Sequence, residues 1–334
     1  MNIFNSEKTF IIAEIGSNHN QSLNTAYQTI DAAKEAGADA VKFQSINMEE
    51  LYLKPSDTIK KLFKQIELNE KWHYDLKKYC DKKEIIFFSS PTYLKAIDIL
   101  EDINVKLYKL ASAQVGTFPQ LIKKTALTGK PALLSTGIVS FAQLQRAVNI
   151  FKSAQNEKFT ILHCNSIYPV PYHKINLKLL KIYKSMFNKP VGFSDHTDNI
   201  YISLAAVEIG ASVIERHFIL DKKIDTPDKK ISLEPRLFQN MVKGIRAIEQ
   251  SGKFYDRTVI DDEENLFKQS IRYKIILAKD KQKDESFYET DFVFKRHNKG
   301  IDCIDADFLI NNFNAGQSLK KNRLLTWDKV SGKK

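Results

Sequence analysis

The chain has 334 residues, with 51 basic and 40 acidic side chains for a net charge of +11, and 43% hydrophobic content. That is enough chain for a large core and two domains, and the composition is that of a globular protein. It excludes a membrane span, which needs roughly 20 consecutive apolar residues. The start, MNIFNSEKTF, has no apolar signal core, so the chain is read as cytoplasmic with no membrane partner. Cys80, Cys164 and Cys303 are odd in number and far apart, which argues against a disulfide framework. The lysines alternate with acids, as in KKYCDKKE (77–84), with no Arg-rich block interleaved with aromatics. A solvated surface is read, with no nucleic acid as partner.

From residue 9 to 251 one unit repeats: an apolar run ending in polar residues, then a helix-like stretch. The strand candidates are TFIIAEIG (9–16), DAVKFQ (39–44), IIFFSSP (85–91), VKLYKLAS (105–112), PALLSTG (131–137), FTILHCN (159–165), PVGFSDH (190–196) and ASVIERH (211–217). Leu23, Ala26, Ile30 and Ala33 share one face of a helix that ends at Gly37. Eight such units predict an α/β fold, a (β/α)8 TIM barrel. An open sheet with a dinucleotide loop is disfavoured, since EIGSNHN follows the first strand where G-x-G-x-x-G would stand. The long connection 45–68, with Pro55 and a helix predicted at 57–65, is expected over the rim. The barrel is expected to span 1–251, a polar linker 252–269, and a small, mostly β domain 270–334.

In a parallel barrel all C-terminal strand ends face one rim, where active sites lie. The candidates deliver Glu14, Lys42 and Gln44, Ser89 and Ser90, Lys109 and Ser112, Ser135, His163, Ser194 to His196, and Glu215 to His217 there. Lys42 and Lys109 with nearby hydroxyls suit a phosphorylated, carboxylated substrate. Internal ion pairs with Glu14 or Glu215, or a Schiff-base lysine, are the alternatives. His196 and His217 at neighbouring strand ends suit one divalent metal with open positions, with Asp195 and Glu215 as partners orienting the rings. His19 is placed near the rim, His163 is read as a buried hydrogen-bonded residue, and His73 and His173 as surface residues.

AEIGSNHN (13–20), VKFQ (41–44), YKLAS (108–112), LLSTG (133–137), SIYPVP (166–171), GFSDHT (192–197) and ERHFILD (215–221) together resemble the sialic acid synthase family, the phosphoenolpyruvate-dependent nonulosonate synthases. AKD, KRHNKG and LTWDKV in 270–334 are similar to that family's antifreeze-like (SAF) domain. The resemblance implies condensation of phosphoenolpyruvate with an open-chain N-acylated mannosamine-type sugar, giving a nine-carbon 2-keto acid and phosphate by C–O cleavage. It implies a Mn²⁺ or Mg²⁺ ion on His196 and His217. It places Lys42, Lys109, Ser112, Ser135 and Ser194 around phosphoenolpyruvate and Glu14 at the reacting centre. Gln44, Tyr168 and Asp228 fall on the sugar side. It also implies a domain-swapped homodimer in which the small domain lends Arg296 to the other barrel.

The sequence departs from the family at several points. TPDKKIS (226–232) stands where many sialic acid synthases have a GPDH-like loop, Gln114 replaces a glutamate, His297 follows the arginine where proline is usual, and KDKQKDE lacks a glycine turn. The competing functions are a seven- or eight-carbon keto-deoxy sugar phosphate synthase, a Schiff-base aldolase, and a non-catalytic sugar-binding paralogue.

Overall fold

The structure, a computed structural model, describes residues 8–253 and 256–333. The chain divides into two compact units, Met1–Lys253 and Phe254–Lys334. The first carries eight parallel strands: β1 Phe10–Glu14, β2 Ala40–Ser45, β3 Ile86–Pro91, β4 Tyr108–Leu110, β5 Ala132–Ser135, β6 Phe159–Cys164, β7 Val191–Asp195 and β8 Val213–His217. Hydrogen-bonded neighbours run β3-β2-β1-β8-β7-β6-β5-β4, and β3 lies against β4, so the sheet nearly closes. Helices follow the strands and cover the outside, giving the expected TIM-like barrel. All eight predicted strands are present. Strand β4 is the shortest because Ser112 already opens a helix, Ser112–Thr117.

Strand alternation decides what points inward. Phe10, Ile12, Ala40, Phe88, Leu107, Leu133, Leu162 and Val213 form an apolar plug inside the barrel. The opposite parity (Ile11, Ala13, Val41, Phe43, Leu134, Ile161, Phe193 and Ile214) packs outward with the helices in the main core. Continuing the inward parity two or four residues further gives Glu14, Lys42, Ser90, Lys109, Ser135, Cys164, Ser194, Glu215 and His217. The apolar plug is therefore the floor of a polar bowl.

The β2 insertion holds two helices, Met48–Leu51 and Asp57–Ile66, capped by Asn47 and Ser56 side chains. Gln21 donates to the carbonyls of Gln65 and Glu67 at 3.1 and 2.7 Å, tying the insertion to the loop after β1.

The second unit has a helix, Asp262–Ser270, inside the stretch read as linker; Asp261 caps it and three acids occupy its first turn. Antiparallel pairs Tyr273–Leu277 with Phe292–Arg296, and Phe313–Ala315 with Val330–Gly332, enclose a small core of Ile275, Leu277, Phe287, Ile301, Leu309 and Leu325. In the segment that lacks a glycine turn, Asp284 adopts φ +69 instead, a conformation Asp tolerates better than most residues.

One ion pair joins β7 to β8 on the outward face. Arg216 and Asp195 are fully buried and 2.8 Å apart. Ser203 Oγ and the Thr197 N–H also donate to the Asp195 carboxylate, at 2.7 and 2.8 Å. Removing one partner of such a pair leaves an uncompensated buried charge. Asp195→Ala should lower unfolding stability by about 3–5 kcal/mol in urea denaturation. A loss below about 1 kcal/mol, the scale of an exposed pair, would contradict this account.

Candidate active site

The inward-facing rim residues of all eight strands converge on one cavity of about 320 Å³. Its walls include Glu14, Lys42, Lys109, Ser112, Ser135, Cys164, Ser194, Glu215, His196 and His217. A second cavity of about 330 Å³ is lined by Gln44, Tyr168, His217, Pro227, Asp228, Lys230 and Ile231. Gln44, Tyr168 and His217 belong to both, so the two spaces adjoin.

A chain of buried charges of alternating sign runs across the first cavity. Lys42 Nζ lies 2.7 Å from Glu14 and 3.7 Å from Glu215. Lys109 Nζ lies 2.7 Å from the other oxygen of Glu215. Ser194 Oγ donates to Glu215 at 2.8 Å, Lys42 donates to Ser90 Oγ at 3.1 Å, and Gln44 Nε2 donates to Glu14 at 2.6 Å. Burial alone pushes the Glu215 carboxyl up, but Lys109 and Lys42 outweigh it and hold it well below the usual carboxylate range. Burial likewise lowers the Lys42 ammonium, yet Glu14 and Glu215 leave it raised. Lys42 is thus held as an ammonium ion.

The two imidazoles face each other with ring centroids 5.5 Å apart. His196 Nδ1 donates to the Asn165 carbonyl at 2.7 Å, which turns Nε2 toward Ser194 Oγ and the cavity. Burial, aided by His217, brings the His196 pKa from 6.5 to about 3, so its ring is neutral with a free lone pair near neutrality. His217 Nδ1 is buried without a hydrogen-bond partner and lies 3.8 Å from Asp228. Tyr168 packs against His196, with ring centroids 4.4 Å apart and the rings tilted by 39°. Burial pushes the Asp228 carboxyl up, while His217 and two hydrogen bonds from Ser17, at 3.2 Å from N–H and 2.7 Å from Oγ, bring it below its ordinary value. Two imidazoles at neighbouring strand ends could hold a divalent cation with several open positions. Among the described residues no cluster of three or more His, Cys, Asp or Glu does so.

Of the twelve residues that the resemblance assigns to the site, eleven line these two cavities. Arg296 is not among them. It lies in the second unit, over the Tyr273 ring at 5.5 Å. Two expectations need correction. Asp195 and Glu215 do not orient the histidines: Asp195 points outward to Arg216, and Glu215 is the counter-ion of the lysines. Strand parity was the signal, because Asp195 is one residue out of phase with Ser194. His73 is not a surface residue. It is fully buried, with Nε2 2.8 Å from Ser45 Oγ and Nδ1 3.0 Å from the Glu70 carbonyl. His163 is buried outside the barrel against Tyr183 and Phe193, bonded to the Ile175 carbonyl at 2.7 Å.

These features match a known family. The NeuB family model covers residues 29–254. The chain belongs to the NeuB family. It is 34% identical to an N,N'-diacetyllegionaminic acid synthase of Campylobacter jejuni, over 96% of this chain and 99% of that one. It is 32% identical to a pseudaminic acid synthase of Helicobacter pylori, over 87% and 89%. Among solved structures, a sialic acid synthetase of Leptospira borgpetersenii in complex with citrate superposes with a TM-score of 0.72 at 34% identity, covering 78% of this chain and 90% of that one.

His19 lines neither cavity. It is buried between Phe43 and Trp72, with centroids at 6.4 and 5.9 Å. Burial lowers its pKa from 6.5 to about 4, opposed in part by Asp228. A group whose pKa falls on folding leaves stability intact above its unfolded value and withdraws it as pH drops toward the folded one. His19 should therefore cost roughly 3 kcal/mol of stability between about pH 6.5 and pH 4. The variant His19→Gln should show a smaller acid-induced fall in urea midpoint than the parent. An equal fall in both would assign the acid sensitivity elsewhere.

Proposed function

We propose that this chain is a nonulosonate synthase: it condenses phosphoenolpyruvate with an open-chain N-acylated mannosamine-type sugar, forming a nine-carbon 2-keto acid and phosphate. The observation that carries this is the pair of adjoining cavities, one lined by two buried ammonium groups and the other by Tyr168 and Asp228, with His217 common to both. The names of the family relatives support it.

In this reading Lys42 and Lys109 bind the phosphate and carboxylate of phosphoenolpyruvate, with hydroxyls from Ser112, Ser135 and Ser194. Ser135 Oγ is buried and without a hydrogen-bond partner, a donor held in reserve for such a ligand. The substrate's oxygens replace part of the pairing that Glu14 and Glu215 give the lysines. The two lysines and two glutamates cancel in formal charge, so a doubly or triply charged anion needs a further cation nearby. A Mn²⁺ or Mg²⁺ ion held by His196 and His217 would supply that charge and polarise the sugar aldehyde as a Lewis acid. Gln44, Tyr168 and Asp228 hold the open-chain sugar so that its aldehyde carbon faces C3 of phosphoenolpyruvate. Bond formation leaves C2 electron-poor, water adds there, and phosphate departs by C–O cleavage. Glu14, paired with Lys42 and Gln44, is the acid placed to orient or take a proton at the reacting centre. Two copies of the chain exchange their small SAF-type domains, so that Arg296 of the partner subunit completes the sugar side.

The test is a phosphate-release assay with phosphoenolpyruvate, Mn²⁺ and three acceptors: N-acetylmannosamine and the 6-deoxy diacetamido mannose and altrose analogues. At least one acceptor should give turnover, and His217→Ala should lower it by about a hundredfold or more, the scale of a lost transition-state interaction. Full activity in His217→Ala would remove the metal role of this histidine.

A further inference from the structure

Between β8 and the next helix, residues 219–232 form a loop whose two stems are pinned together. The Leu233 N–H donates to the His217 carbonyl at 2.8 Å, and the Ile219 N–H to the Leu233 carbonyl at 3.0 Å. Two side chains from the turn after β1 hold the loop: Ser17, through the Asp228 carboxylate, and Asn18, which is fully buried. Asn18 Nδ2 donates to the Phe218 carbonyl at 2.9 Å and to Ser232 Oγ at 2.8 Å. A carbonyl only accepts, so this contact fixes the amide's orientation and leaves Oδ1 facing the loop. There Thr226 Oγ1 donates to it at 2.6 Å. Ser232 Oγ in turn donates to the Asp228 carbonyl at 2.7 Å.

The geometry points to Thr226 as a positioning residue for the sugar side of the site, acting through Asn18 to hold the loop that carries Asp228; this rests on the sugar-binding reading of Asp228 given above. Two further observations make the position exacting. Gly16, at φ +51, sits so close that a Cβ there would lie 2.8 Å from Asp228 Oδ2, so the carboxylate has no slack on that side. Pro227, Asp228, Lys230 and Ile231 supply one wall of the second cavity, and no loop residue lines the first. A loosened loop therefore disturbs one cavity and spares the other.

That asymmetry gives a readout that general destabilisation would not produce. Thr226→Val keeps the shape and removes the donor, leaving Asn18 Oδ1 buried and unpaired; Thr226→Ser restores the hydroxyl. Three quantities are measured on the full chain: KM for the acceptor sugar, KM for phosphoenolpyruvate, and amide hydrogen exchange over residues 224–232. Thr226→Val should raise the sugar KM by about tenfold, the effect of one buried hydrogen bond. It should leave the phosphoenolpyruvate KM within about twofold and speed exchange in the loop, and Thr226→Ser should return all three toward the parent. Equal rises in both KM values with no recovery in Thr226→Ser would overturn the assignment. So would unchanged exchange in Thr226→Val, a result that needs no turnover. A parent protein that uses no acceptor sugar would instead contradict the proposed function, with the clamp still judged by exchange.

Discussion

Four buried charges of alternating sign, Glu14, Lys42, Glu215 and Lys109, constrain the first unit more than any other group of side chains. Each would cost several kcal/mol to strip of water alone. Together they form contacts of 2.7 Å at either end and 3.7 Å in the middle. None can be removed without stranding a neighbour. They come from β1, β2, β8 and β4, so the network forms only when distant parts of the chain have closed into the barrel. The result is a pair of ammonium groups already desolvated and already aimed at a common space. An anion entering that space meets donors already held in place, and exchanges with part of their pairing to Glu14 and Glu215.

Much of this was legible because a strand has a period of two. The run FIIAE puts Phe10, Ile12 and Glu14 on one face, and AVKFQ does the same for Ala40, Lys42 and Gln44. Eight apolar runs, each ending in polar residues, therefore predicted both the barrel and the rim where its chemistry sits. The paired histidines were legible for the same reason, since GFSDH and VIERH end neighbouring strands. Seven short motifs in order then tied that rim to one family.

What was not legible depends on parity at single residues and on pairing across the barrel. Asp195 and Glu215 both precede a histidine, which made them look alike. One residue of phase separates them: Asp195 follows Phe193 to the outside, and Glu215 follows Val213 to the inside. His73 gave no sign of burial, because its partner Ser45 ends β2, with two helices between them in the chain. The Asn18 clamp was hidden more deeply, joining residues 208 positions apart through a side-chain amide. Asn18 stands in AEIGSNHN and Thr226 in TPDKKIS, but no spacing or period links the two.

In the proposed reaction the charge network binds phosphoenolpyruvate for carbon–carbon bond formation with a sugar held beside it. Mass analysis of the products, starting from phosphoenolpyruvate with an isotopically labelled bridging oxygen, tests this most directly. The expected product is an acid whose mass is that of the sugar plus a pyruvate unit, with all of the bridging label in the released phosphate. Phosphate carrying no label, or pyruvate with the sugar unchanged, would contradict it.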